Sequence, residues 1–142
     1  MEDLEATGQV ESSAVEPTAR LERIHRHKTG RLLRASVETG AVLAGVGDDA
    51  RSKLAAFGDA LGLAFQVADD ILDETATADE LGKSPGKDAL SGKLTFVTLY
   101  GLESARRRLA DLEEKLLAQA EEIEGADGSL AAIAKFVARR RR

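Results

Sequence analysis

Three carboxylates at i, i+1 and i+4, Asp69, Asp70 and Asp73, stand in the stretch Gly-Leu-Ala-Phe-Gln-Val-Ala-Asp-Asp-Ile-Leu-Asp at positions 62–73. Projected at about 100° per residue, they share with Asp59 and Gln66 one helical arc roughly 100° wide. The wet side of an amphipathic helix also has this form, since Leu61, Ala64, Ala68 and Ile71 project the other way. Two details favour a site. The arc holds only Asp, Gln, Gly58 and Gly62, with no Lys or Arg at the neighbouring turns to pair the acids. Leu63, Phe65 and Val67 extend the apolar surface around the helix, so the acids form a narrow strip suited to a cavity wall. Carboxylates held this close raise one another's pKa unless a cation intervenes. Mg²⁺ takes one or two carboxylates plus waters and phosphate oxygens, so an Asp-Asp-x-x-Asp face with nearby lysines reads as a diphosphate-binding site.

The lysines are Lys28, Lys83 and Lys93. Lys28 falls within an apolar stripe of Leu21, Ile24, Leu32 and Ala35, where a charge is costly unless it meets an anion or snorkels to the helix edge. Thr29 follows it with a hydroxyl able to donate to a phosphate. His25 and His27 read as helix-surface residues, and Lys87 as a surface lysine.

Helices must position these groups. Apolar spacing predicts a first helix over 19–45, with Gly30 as a kink and Gly45 and Gly47 as its end. A second helix runs over about 50–77, capped by Asp48 or Asp49. Residues 79–92, with three glycines and Pro85, read as a lysine-rich loop. A third helix follows over 94–124, with Leu102, Ala105, Leu109, Leu112, Leu116 and Ile123 on its apolar side. A short fourth, over 130–139, pairs Leu130, Ile133, Ala134 and Val137. The longest strand-period run is Phe96 to Tyr100, so the fold class is all-α. Residues 1–17 form a polar lead-in, and 18–142 form one helical domain.

Composition agrees. With 43% hydrophobic but only 4% aromatic residues, a core must be built mainly from Leu, Ala, Val and Ile, which suits helix on helix. A formal charge of -5, mixed along most of the chain, points to neither nucleic acid nor a membrane as partner. Arg139 to Arg142 read as a solvated helix end without a function. The absence of cysteine fits a reducing compartment, and the first ten residues lack the basic start and apolar core of a signal peptide. No apolar run approaches membrane-spanning length, so a soluble cytoplasmic protein is expected.

His-Lys-Thr-Gly at 27–30, the 62–73 stretch, Leu-Gly-Lys at 81–83 and Ser-Gly-Lys at 91–93, in that order, resemble the C-terminal half of farnesyl diphosphate synthases, the trans-polyprenyl diphosphate synthase family. The resemblance implies a bundle of long helices around a central cavity, the C-terminal half of an isoprenoid-synthase fold. It assigns Asp69, Asp70 and Asp73 to the second aspartate-rich motif, which holds Mg²⁺ and the allylic diphosphate. Lys28, Thr29, Gln66 and Lys83 match residues that grip that diphosphate and assist its departure, and Lys93 matches a lysine near the cavity mouth. The implied reaction joins isopentenyl diphosphate to dimethylallyl or geranyl diphosphate through ionisation of the allylic carbon–oxygen bond. The site must stabilise the departing diphosphate electrostatically, and the apolar cavity must shelter the cation from water. A homodimer is expected of the full-length family chain.

Family members are about twice as long, and no first aspartate-rich motif with its arginine pair occurs in these 142 residues. The chain is therefore expected to be a fragment, inactive or nearly so alone, with apolar helix faces left uncovered. Two other readings are a geranylgeranyl or longer-chain synthase and a non-catalytic helical interaction module. Magnesium-dependent diphosphate binding separates the last from both enzymes.

Overall fold

The computed structural model describes Leu21, Arg23 and residues 29–75, 95–125 and 128–140. Five helices are delimited: α1 (Arg31–Leu43), α2 (Asp48–Thr75), α3 (Phe96–Tyr100), α4 (Leu102–Glu124) and α5 (Ser129–Arg139). The described residues contain no strand, and the class is all-α as expected. None of these helices is long and apolar enough to cross a membrane. The lead-in over 1–17 and the loop over 79–92 lie outside the described residues.

Helix α2 is the axis. It packs on α1, with which it forms an antiparallel hairpin, and on α3, α4 and α5. Asp48 and Asp49 fall inside its first turn, where their charge complements the positive end of the helix dipole. Its apolar side enters one core, in which Phe57, Leu61, Ala64 and Val67 meet Leu112 and Leu116 of α4 and Ala134 and Val137 of α5. Leu21 also lies in this core, fully buried. Removing Phe57 from water alone contributes about 1.5–3 kcal/mol.

The opposite side of α2 is shaped by glycine. A Cβ at Gly62 would lie 2.5 Å from the Gly30 Cα, and one at Gly58 would lie 2.8 Å from the Arg34 Cα. Only hydrogen at both positions lets the two backbones come this close. That contact decides which side of α1 faces inward. Ala41 is buried there, whereas Leu32 and Ala35 of the expected stripe stand exposed, as do Val42 and Leu43, the last at 83%. The stripe was drawn from apolar residues alone, and close backbone packing overrides it here. Thr29 and Gly30 sit in a wider π-type turn at the start of α1, so Gly30 does mark an irregularity.

The expected third helix is in fact two. Gly101 adopts φ +80°, which no residue inside an α-helix holds, and it separates α3 from α4. The strand-period run 96–100 is helical, started by a reciprocal capping box between Thr95 and Thr98. In α5 the buried face is Ala131, Ala134 and Val137, and Ile133 points outward. The Glu124 carboxylate closes the start of α5, accepting the Leu130 and Ala131 amides and the Ser129 hydroxyl.

Candidate functional site

The α2 strip divides in two along its length. Its first part is structural. Gly58 and Gly62 are covered by the start of α1, and Gln66, one turn further on, is 4% exposed. Asp59 accepts a hydrogen bond from the Arg34 guanidinium at 2.8 Å. Arg34 also meets Glu38 at 3.1 Å, and with Asp59 this holds its pKa above the ordinary arginine value. The sequence argument found no cation at neighbouring turns of α2; the partner comes instead from α1, out of reach of a periodicity argument. Asp59 is thus an interhelical clasp.

The second part is the end carrying Asp69, Asp70 and Asp73. Asp70 turns toward α3, and its carboxylate accepts the Phe96 amide at 2.9 Å. It thereby satisfies one of the amides that every helix start leaves over. Asp69 turns the other way and pairs with Arg140 at 2.9 Å. The same guanidinium donates to the Phe65 carbonyl at 3.4 Å and lies 4.0 Å from the centre of the Phe65 ring. Arg140 is only 13% exposed, so the expected solvated arginine end is anchored at this residue. A basic run following an amphipathic helix was visible in the sequence; which acid it meets was not. Asp73 is half-buried one turn beyond Asp69.

Thr29 is half-buried and precedes Gly30. Because Arg34 faces Gly58 and Gly30 faces Gly62, the antiparallel register sets Thr29 near the level of Leu63, about a turn short of Gln66. Lys28, Lys83, Lys87 and Lys93, with His25 and His27, lie outside the described residues. The structure therefore places Gln66, Asp69, Asp70 and Asp73 along one end of α2, with Thr29 on the neighbouring segment about a turn short of Gln66.

Among the described residues no three carboxylate or imidazole groups gather as a ready metal cluster. Asp70 is committed to the Phe96 amide, so a site using all three aspartates equally does not fit. The pair Asp69 and Asp73 does fit a magnesium ion whose other ligands are phosphate oxygens and water. Both project to one side of α2 about 40° apart, and an ion there would displace Arg140 from Asp69. Further down α2, a groove of about 460 Å³ opens between α2 and α4. It is lined by Ala56, Ala60, Leu63 and Leu112 together with the charged Asp59, Arg108, Asp111 and Lys115.

Residues 1–132 of the chain match the polyprenyl synthetase family. Geranylgeranyl pyrophosphate synthase 7, chloroplastic, of Arabidopsis thaliana is 45% identical over 125 residues, covering 84% of this chain and 35% of that protein. A dimethylallyltranstransferase of Fischerella ambigua (strain UTEX 1903) is 43% identical over 110 residues, covering 70% of this chain and 32% of that protein. A crystal structure provisionally named as a farnesyl-diphosphate synthase, from Marinomonas sp. MED121, superimposes with a TM-score of 0.67 at 36% identity, over 84% of this chain and 39% of that one. The chain thus spans about a third of the length of the curated relatives it matches.

Proposed function

Since this chain belongs to the polyprenyl synthetase family, we propose that it serves prenyl transfer, holding an allylic diphosphate at the Asp69–Asp73 end of α2 while isopentenyl diphosphate is joined to its prenyl chain. The observation that carries the reading is the disposition of Asp69 and Asp73, one turn apart beyond the buried Gln66, on an acidic arc whose earlier member Asp59 is paired with Arg34. Mg²⁺ bound there would neutralise the diphosphate as its bond to the allylic carbon breaks. Asp69 and Asp73 would orient that ion, Thr29 and Gln66 would donate to diphosphate oxygens, and Lys28, Lys83 and Lys93 would add positive charge. Asp70 we assign instead to holding α3 in place.

For the product, geranylgeranyl diphosphate is favoured by the name of the Arabidopsis relative, and farnesyl diphosphate by that of the Marinomonas structure. Turnover is proposed for the whole protein of family length. The 142 residues by themselves are proposed to bind diphosphate without appreciable condensation.

Titration calorimetry of the chain with geranyl diphosphate tests this, with and without Mg²⁺. Magnesium-dependent binding is expected, weakened tenfold or more by Asp69→Ala and by Asp73→Ala and little changed by Asp59→Asn. Binding that ignores magnesium, or survives both substitutions unchanged, would refute the assignment and favour a helical interaction module.

A further inference from the structure

We infer that Arg140 couples magnesium to diphosphate at the Asp69–Asp73 end of α2, its guanidinium passing from the Asp69 carboxylate to the incoming diphosphate. This role rests on the diphosphate reading of that helix end and adds a ligand to it. Arg140 reaches Asp69 at 2.9 Å and the Phe65 carbonyl at 3.4 Å through one nitrogen, Nη2. Its Nε is buried and has no acceptor among the described residues. The Nε–Nη2 edge, the fork that grips two oxygens of one phosphate or carboxylate, is therefore only half used. Arg34 shows the opposite arrangement. Its Nε and Nη2 both reach Glu38 at 3.1 Å, while its Nη1 reaches Asp59 at 2.8 Å. Arg34 is a closed clasp, whereas Arg140 keeps an open donor.

The two members of the Arg140–Asp69 pair also differ in access to solvent. The Arg140 side chain is 13% exposed and that of Asp69 58% exposed. A cation can thus reach Asp69 from solvent while the guanidinium stays against the Phe65 ring, 4.0 Å from its centre. A charge buried to this degree is costly without an anion beside it. Losing the Asp69 carboxylate to a metal alone would leave Arg140 without one, and that cost opposes metal binding. A diphosphate arriving with the metal supplies oxygens for Nε and Nη2, and the guanidinium can turn over the Phe65 ring to meet them while keeping its cation–π contact. Arg140 therefore resists Mg²⁺ alone and favours Mg²⁺ together with diphosphate. Its neighbour Arg139 has no part in this exchange, because it pairs with Glu113 at 2.6 Å.

Titration calorimetry of the 142-residue chain tests the coupling, first with Mg²⁺ alone and then with geranyl diphosphate at saturating Mg²⁺. Arg140→Met should tighten Mg²⁺ alone about tenfold or more and weaken geranyl diphosphate by about as much, since one charged hydrogen-bond partner changes hands in each case. A merely structural arginine would move both affinities in the same direction. Arg139→Met, which removes an exposed ion pair, should change neither by more than about twofold. A second measurement needs no variant: the Arg140 Nε–Hε resonance of the unmodified chain should move downfield when Mg²⁺ and geranyl diphosphate are added together. Should Arg140→Met not fold, this resonance decides the matter.

Magnesium-dependent binding that is lost with Asp69→Ala but indifferent to Arg140→Met would overturn the role of Arg140 and leave the diphosphate site standing. So would parallel changes in both affinities, an equal effect of Arg139→Met, or an Arg140 resonance that stays in place. No magnesium-dependent binding in either the parent or the Arg140→Met chain would refute the diphosphate site itself, and the role of Arg140 with it.

Discussion

Replacing Gly62 with alanine tests the helix contact on which the site geometry depends. In an open helical position the change stabilises, because alanine exceeds glycine by about 0.8–1.0 kcal/mol in helix propensity. At Gly62 the new Cβ would stand 2.5 Å from the Gly30 Cα, with the Gly30 carbonyl oxygen at 3.3 Å, so the obstacle is backbone and cannot rotate aside. Overpacking of this kind costs about 1–3 kcal/mol. The propensity gain offsets only part of it, leaving a net destabilisation of up to about 2 kcal/mol. Gly40 in α1 supplies the control: it is helical, exposed and has nothing within 4 Å of an added Cβ, so Gly40→Ala should stabilise by about 0.5–1 kcal/mol. Urea unfolding followed by circular dichroism at equal m-values gives both numbers. The two substitutions should carry opposite signs. If Gly62→Ala stabilises as much as Gly40→Ala, α1 does not approach α2 at this point, and the register that sets Thr29 near Leu63 falls with it.

Asp70→Ala removes the acceptor for the Phe96 amide and should cost about 0.5–2 kcal/mol, while Asp70→Asn, which keeps a carbonyl oxygen there, should lose markedly less. Amide exchange resolves the cause: Phe96 should lose protection in the alanine variant, and unchanged protection would show that Asp70 does not hold α3. Lys53 bridges Glu122 of α4 and Asp49 of α2, and the hydrogen bond to Glu122, then that to Asp49, raises its pKa above 10.5. A raised folded pKa means that its stabilisation is complete below about 10.5 and is lost as pH climbs through the folded value. The melting-temperature gap between the parent chain and Lys53→Met should therefore be constant through neutral pH and close above that point. A gap that instead widens with rising pH would contradict the bridge.

How far the sequence discloses this molecule depends on the range of the force concerned. The helices of α2, α4 and α5 were legible because their apolar faces repeat at helical spacing and do bury Phe57, Leu61, Leu112, Leu116 and Val137. Gly101 was a local signal that the periodic pattern concealed: the apolar spacing continues through it, and only the backbone angle breaks the helix. Ile133 failed for the opposite reason, since it satisfies the period while smaller alanines take the tighter interior. The α1 face was set by two glycines on another helix, a pairing no single-helix projection contains. At the site, the clustering of acids on one arc was legible, whereas their partners Arg34, Arg140 and the Phe96 amide come from 25, 71 and 26 residues away.

Those distant partners explain why adjacent aspartates end in different roles. Residues i and i+1 on a helix diverge by about 100°, so Asp69 and Asp70 cannot aim equally at one ion while both remain in a regular helix. Asp70 falls on the side where α3 begins, and the Phe96 amide takes it. Asp69 falls toward the end of α5, where Arg140 meets it. Asp73, one turn on, projects between the two directions. The demand that like charges this close be offset by a cation is met at Asp69 by the chain's own guanidinium, itself held against the Phe65 ring. A diphosphate-bound ion at Asp69 and Asp73 would therefore have to take the Asp69 carboxylate from Arg140. Within the doublet only Asp69 is free of a structural duty to α3, so the loss of diphosphate binding should follow Asp69, and the loss of stability Asp70.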